Sequence, residues 1–504
     1  LTVRIKEPGT RLDFVAANLG FYVDGVVLPA PDPDRMSNLL GALVKRVGTQ
    51  VPKSDVGLMR RFSKFVQSWL ESNLEPLGVG TDLSVDTWLK ATSYPDWRQR
   101  QLLKAWAAVD KTIPCYLALR TRMARCKSFG KREFYTSYKE MRCINSRSDA
   151  FKVATGPAFH AIEDSVYATV PEFIKHTPVP ERPGKIASLW LPGISIVTSD
   201  YTAFEALLTP RFMRACEMQL YKHMLRHVTD GKKIYSLIAR ALTGINQCHF
   251  GGRGATKAVV KVKGTRMSGD MCTSLGNGFS NLMAMSFACE CVGSVPRGFV
   301  EGDDGIFAVT GPVPTKDFFK RLGLRIKLRV DPDPMYADFC GNVFDPTDKC
   351  NIPDVAKQLV KLGWSMSEFR LGTPLQRGAL LRAKAISAAY MYAGCPVLQA
   401  AAEYILRCVG DGPIIHESDW ARSEFGRPCH KPVGYASRLL LADKYGYTVE
   451  LQYAAERWFS SRSRLEPMPW QLVPTRPDWH SEWGNVQSHD LVRLRRNRTG
   501  IRVC

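Results

Sequence analysis

The sequence has no apolar run long enough to span a bilayer and no N-terminal signal peptide. It has no internal repeat and no low-complexity tract, which argues against a repeat scaffold. Its 14 cysteines are scattered, without the spacing of a small disulfide-stapled domain. Free thiols in an intracellular protein are expected. "CEC" (Cys289, Cys291) and "CHK" (Cys429, His430) come nearest to a zinc-site spacing, and such pairs are weak signals. Carboxylates are also in short supply: 48 Asp plus Glu against 69 Lys plus Arg, a net charge of +21. That excess favours a polyanionic partner, with nucleic acid ahead of an anionic membrane surface. The chain starts at Leu1, not Met, as a processed product or excised region would, and an anchor would then lie upstream.

What is present is a globular composition. The 504 residues are 45% hydrophobic and 23% charged, with length for about three domains. Residues 1–60 mix short apolar stretches with a proline-rich loop, "LPAPDPD". Residues 60–130 read mostly helical, with a basic run at 118–134. "ISIVTSD" (194–200) reads as a buried strand ending at Asp200. "TPRFMRACEMQLYKHMLRHV" (209–228) reads as one helix, and "TSLGNGFSNLMAMSFACECVG" (273–293) as a buried one. After residue 345 the pattern is largely helical. The Pro- and Trp-rich tail at 464–483 should be irregular, and basic residues follow in "LVRLRRNR" (491–498).

"FVEGDDGIFAVT" (299–310) carries the sharpest local signal. Asp-Gly between apolar runs predicts a hairpin, with "GFV" and "IFAV" as strands and "EGDDG" at the bend. Asp and Gly are ordinary turn residues, so a solvated turn fits. So does a divalent-cation site, because adjacent carboxylates repel unless a hard cation neutralises them. A cation site needs a further carboxylate. "SIVTSDYTAFEALLTP" offers Asp200 at the strand end, the Tyr201 carbonyl beside it, and Glu205 one turn on. A helix N-terminus capped by Asp200 or Thr202 is the other reading of that stretch. Between the acidic stretches lies "RMSGDMCTSLGNGFSNLM" (266–283). Ser268 and Gly269 make a turn, and Thr273 and Asn277 then share one helix face. They are either core hydrogen-bonders or readers of a ribose hydroxyl, with Asn277 facing Glu205.

The order "DYTAFE", "SGDMCTSLGN", "EGDDG" resembles motifs A, B and C of the viral RNA-dependent RNA polymerase palm. "YKEMRCINSRSDAFKVATGPAFHAIED" (138–164) is similar to motif F of the fingers in tombusvirus-like and nodavirus-like enzymes of positive-strand RNA viruses. "KHTPVPERPGKI" (175–186) resembles the element before motif A, "LGLRIKLRV" (322–330) motif D, and "ADFCGNVF" (337–344) motif E. The resemblance covers about residues 120–345.

The resemblance implies an α+β closed right hand. Fingers would span 1–190 and 213–264, the palm 191–212 and 265–345, and a helical thumb with the tail 346–504. It implies two Mg²⁺ or Mn²⁺ ions held by Asp200, Asp303 and, secondarily, Asp304, with the Tyr201 carbonyl as a further ligand. Arg142 and Arg147, with Lys139 as a third member, would grip the incoming triphosphate, and Lys327 would be the general acid. Glu205, Ser268, Thr273 and Asn277 would hold the nucleotide sugar. The family usually has Asp where Glu205 stands, so the sugar-selection network departs from its pattern. Implied partners are RNA template and product, rNTPs, other viral replication proteins, and host membranes through a partner. The catalytic unit would be a monomer in the host cytoplasm, at membrane-associated replication complexes. The basic stretches at 118–134 and 257–266 are expected to contact RNA backbone in the channel, and the tail to offer a priming platform or simply to pack on the thumb. A reverse transcriptase would carry YxDD where this chain has "EGDD". A non-catalytic RNA-binding protein would not need the three aspartates, and a metal nuclease would use the same ions.

Overall fold

A computed structural model describes residues 2–6, 15–109, 125–251, 257–331, 334–417, 426–480 and 491–493. The architecture is mixed α+β, with sheets that are almost wholly antiparallel and many helices. A four-stranded sheet lies at the centre. Its order is Ile326–Asp331, Ser195–Tyr201, Asp304–Thr310, Val295–Glu301, every neighbour antiparallel. The β-branched run of Ser195–Tyr201 sits between two partners and is buried from Ile196 to Ser199, as such a run must be when both faces are covered. The helix Thr273–Val292 packs on the hairpin of this sheet. Around it, Val56–Asn73, Asp149–Thr169 and the helices near 204–243 complete the largest apolar core.

The expected single helix at 209–228 is two. Thr209 caps the first by accepting from the Phe212 amide, and Pro210 opens it. Cys216 then leaves helical geometry (φ −124°, ψ −95°), and a second helix runs Glu217–Met224. The break coincides with a fully buried ion pair between Glu217 and Arg266, which sequence periodicity could not foresee.

A second sheet has five strands in the order Thr2–Lys6, Lys257–Lys263, Ile245–Phe250, Arg125–Gly130, Cys143–Arg147. The helical expectation for 60–130 holds for Val56–Asn73, Val85–Ala91 and Asp96–Ala108, but Arg125–Gly130 is a strand. The first part of the basic run lies outside the described residues. One face of this sheet packs on Leu39, Ala42 and Leu43 of the helix Met36–Arg46.

The C-terminal part is helical as expected, with Val355–Leu362, Pro374–Met391, Leu398–Val409, Tyr435–Tyr445 and Val449–Ser460 around a separate core. The described tail is irregular apart from two short 3₁₀ turns. Trp479 is buried in this core and donates its indole N–H to the Thr136 carbonyl (2.7 Å), so it offers no open platform for a nucleotide. Most of "LVRLRRNR" lies outside the described residues. Among the described residues no helix is long and apolar enough to cross a membrane.

Candidate active site

The hairpin is tighter than "EGDDG" suggests. Glu301 pairs with Asp304, so only Gly302 and Asp303 make the bend. Gly302 supplies the positive φ (59°) that the first position of a two-residue turn requires. Gly305 is needed for a different reason: a Cβ there would meet the Ser199 hydroxyl oxygen at 2.5 Å and the Asn281 amide nitrogen at 3.1 Å. That close approach lets the tip lie against the strand that carries Asp200. Ser199 pairs with Gly305, so Asp200, Asp303 and Asp304 end up at the same end of the sheet.

The carboxylates feel one another. Burial pushes the Asp304 carboxyl up to about 8, and the charges of Asp303, Asp200, Asp338 and Glu301 add to it. Burial also raises Asp303, helped by Glu205 and Asp200. Asp200 is exposed and accepts from Lys327 Nζ at 2.8 Å, its direct neighbour across the strand pair. Among the described residues no three acidic, His or Cys side chains converge to metal-ligating distance. The donor set still suits a hard cation: clustered oxygen ligands on rigid strand ends, destabilised by mutual repulsion.

Asn281 holds the tip in place. It is fully buried on the helix Thr273–Val292. Its Oδ1 accepts from the Ser199 hydroxyl (3.2 Å) and the Tyr201 hydroxyl (3.1 Å), while its Nδ2 donates to the Asp303 carbonyl (3.1 Å). One amide thus ties the Asp200 strand to the Asp303 turn. Sequence reasoning stopped at Asn277; the four-residue spacing Thr273, Asn277, Asn281 was the available signal. Tyr201 follows Asp200 on its strand, with its side chain buried beside Phe204.

The sugar-selection group is arranged differently from the expectation. Asn277 does not face Glu205. Its Oδ1 accepts from Arg266 Nε (3.1 Å), and Glu205 instead pairs with Arg46 at 3.0 Å. Arg266 connects the parts: its amide donates to the Glu205 carbonyl (2.9 Å) and its guanidinium pairs with Glu217. A fully buried guanidinium needs that carboxylate, and Asn277 fills a remaining donor. Thr273 donates to the Asp270 carbonyl (2.7 Å) at the start of its helix, and half-buried Ser268 gives its carbonyl to the Asn145 amide (2.6 Å). Glu205 and Ser268 line a narrow cavity with Arg46, Asn145 and Arg266.

Two of the three expected phosphate grips are exposed to some degree. Arg142 is half-exposed, bound by Glu133 through two nitrogens, and feels the charge of Asp303. Lys139 lies over the Tyr135 ring (4.8 Å); burial lowers its pKa, with Arg142, Lys357 and Arg46 adding to it. Arg147 is the correction. It is fully buried, paired with Asp270 at 2.7 Å and donating to Asn246 at 2.6 Å, so its guanidinium is committed inside the protein. It lies on the inward face of its strand, on the same side as Cys143 and Asn145. Glu301 pairs with Lys175 (3.2 Å) and Arg182 (3.4 Å) of the segment before the Asp200 strand.

The zinc-like pairs do not assemble. Cys291 accepts from Arg61 (3.4 Å), two residues along one helix from buried Cys289, and His430 binds Glu403 (2.6 Å) beside exposed Cys429.

No curated protein matches the chain. Residues 210–312 match the family model described as viral RNA-dependent RNA polymerase, a stretch that takes in Ser268–Asn277 and the whole aspartate hairpin. Enzymes of that family use divalent metal ions. This stretch of the chain is therefore similar to a viral RNA-dependent RNA polymerase, and the match supports an RNA-directed RNA polymerase activity.

Proposed function

We propose that the chain copies a viral RNA genome by two-metal-ion nucleotidyl transfer from rNTPs onto an RNA 3′-OH. The observation that carries this reading is the meeting of Asp200 with Asp303 and Asp304 at one end of the central sheet. Asp200 and Asp303 would hold Mg²⁺ or Mn²⁺, with Asp304 and the Tyr201 carbonyl as further ligands. Such ions lower the pKa of an attacking hydroxyl and neutralise charge on leaving phosphate. Asn281 keeps the two ligand-bearing segments in register. Arg142 would receive the triphosphate, exchanging its Glu133 contact for phosphate oxygens. Lys327, next to Asp200, would protonate the departing pyrophosphate. Arg266 fixes the relation of Glu205 to Asn277, and those two with Ser268 and Thr273 would meet the sugar.

In this reading the central sheet and the helix Thr273–Val292 form the palm, the five-stranded sheet belongs to the fingers, and the C-terminal helices form the thumb of a closed right hand. The segment likenesses favour a tombusvirus-like or nodavirus-like enzyme, working as a monomer with other viral replication proteins at cytoplasmic membranes of the host. The test is labelled rNTP incorporation on a homopolymer RNA template with Mg²⁺ or Mn²⁺. Wild-type synthesis that disappears in Asp303→Asn supports the reading; equal synthesis by both overturns it. Incorporation of dNTPs instead would assign the chain to reverse transcription.

A further inference from the structure

We propose that the outward face of the five-stranded sheet is a second RNA surface, which holds a single-stranded segment on the side away from the narrow cavity lined by Glu205 and Ser268. Side chains alternate across a strand. Cys143, Asn145, Cys248, Phe250 and Val260 line the cavity with Glu205 and Ser268, so their alternate neighbours look away from it. Those neighbours include exposed Arg125 and Lys127 on one strand and exposed Lys257, Lys261 and Lys263 on another. The exposed cations of the stretches expected to contact RNA thus point, in large part, away from this cavity.

The register arranges these cations in rows. Lys261 lies across from Gln247, and Gln247 across from Arg125. Val259, His249 and Lys127 form the next row, with the Arg125 Nε–H donating to His249 Nε2 at 3.3 Å. The edge strand Thr2–Lys6 pairs with Lys257–Lys261. Not one of the five strands contains an Asp or Glu. No described carboxylate pairs with Arg125, Lys127, Lys257, Lys261 or Lys263. Like charges on neighbouring positions of a rigid sheet repel, and a polyanion relieves that repulsion by replacing condensed counterions. Cations two residues apart on a strand recur about every 6.6 Å, which suits repeated phosphate contacts better than one compact anion.

Phe129, 49% exposed and two residues beyond Lys127, gives a ring on which an unpaired base can stack. That feature favours a single strand over a duplex. An anionic membrane fits less well: Phe129 and Ile245, the exposed apolar side chains, lie on different strands with the polar residues Gln247, His249 and Lys127 among them, and no continuous apolar wedge results.

The test is fluorescence anisotropy of the full chain with a labelled single-stranded oligouridylate over a series of salt concentrations. The triple variant Lys127→Gln/Lys261→Gln/Lys263→Gln should bind about tenfold more weakly at low salt. Its log–log salt slope should be shallower by about 2, since each phosphate contact on a single strand contributes about 0.7. Phe129→Ser should weaken binding without changing the slope. All four positions are exposed, and an unchanged melting temperature confirms folding. Unchanged affinity and slope in the triple variant would overturn the proposal. So would loss of binding to phosphatidylserine vesicles with RNA affinity intact, which would make the face a membrane surface. The readout is affinity, not synthesis, so its outcome is separable from that of the catalytic reading.

Discussion

The central four-stranded sheet puts acidic residues at one end, whereas the five-stranded sheet carries exposed cations along the outward side of two strands and no acid in any strand. The difference lies in where each charge sits relative to the ladder. Asp200 and Asp303 fall at a strand end and in a turn at the same end of the sheet, where burial and mutual repulsion raise Asp303 and Asp304. Lys127, Lys261 and Lys263 sit at outward positions along their strands, where side chains spread over a surface. A point of carboxylates serves chemistry on one bond; a spread of cations serves affinity along a strand.

The sharpest way to break this contrast is to exchange effects between the two sheets. Asp303→Asn should lower rNTP incorporation by on the order of 10³-fold, while affinity for single-stranded RNA stays the same. The outward-face lysine variant should do the reverse, so an affinity loss in Asp303→Asn would undo the separation.

The next largest effect tests what holds the acidic end together. Arg266→Met strands the Glu217 carboxylate in the core and should cost about 3–5 kcal/mol in urea unfolding. Adding Glu217→Leu should recover most of it, whereas a cationic residue lost from the outward face of the basic sheet should cost almost nothing.

Asn281 gives a finer measure. Asn281→Asp keeps an acceptor for Ser199 and Tyr201 but loses the donor to the Asp303 carbonyl. Turnover should fall by about 10²-fold, as for a misplacement of about 1 Å at a reacting centre, with substrate KM little changed. Asn281→Leu should lose stability as well, by about 1–3 kcal/mol. Equal turnover in Asn281→Asp and wild type would remove the positioning role.

The smallest effect concerns Glu133. Burial opposes its ionisation, but Arg142 and Lys131 outweigh that and hold its pKa at about 2, against an ordinary 4.5. The stability this brings is present above pH 4.5 and lost as pH falls towards 2. Thermal unfolding of wild type should therefore weaken more steeply over that window than that of Glu133→Gln.

Much of the acidic end was legible in the sequence. Asp-Gly between apolar runs marks a tight turn, and a β-branched run ending in Asp marks a strand end, because both depend on local backbone chemistry. The partners of buried ions were not legible. Nothing near Arg266 in sequence points to Glu217, nothing near Arg147 points to Asp270, and the break at Cys216 interrupts an otherwise regular helical pattern. Such pairs are chosen by the fold. Asn281 lies between these cases: its spacing was visible, but its three partners come from two other segments. The basic sheet was misread in part, since "RCKSFG" ends a stretch that reads mostly helical and its strand character comes from pairing with Ile245–Phe250 and Cys143–Arg147.

The most direct measurement is Mn²⁺ titration by calorimetry of the wild type, Asp200→Asn, Asp303→Asn and the triple lysine variant. Binding present in the wild type and lysine variant but lost in both aspartate variants is expected if Asp200 and Asp303 share a cation site. Mn²⁺ binding of equal strength in all four proteins would contradict it.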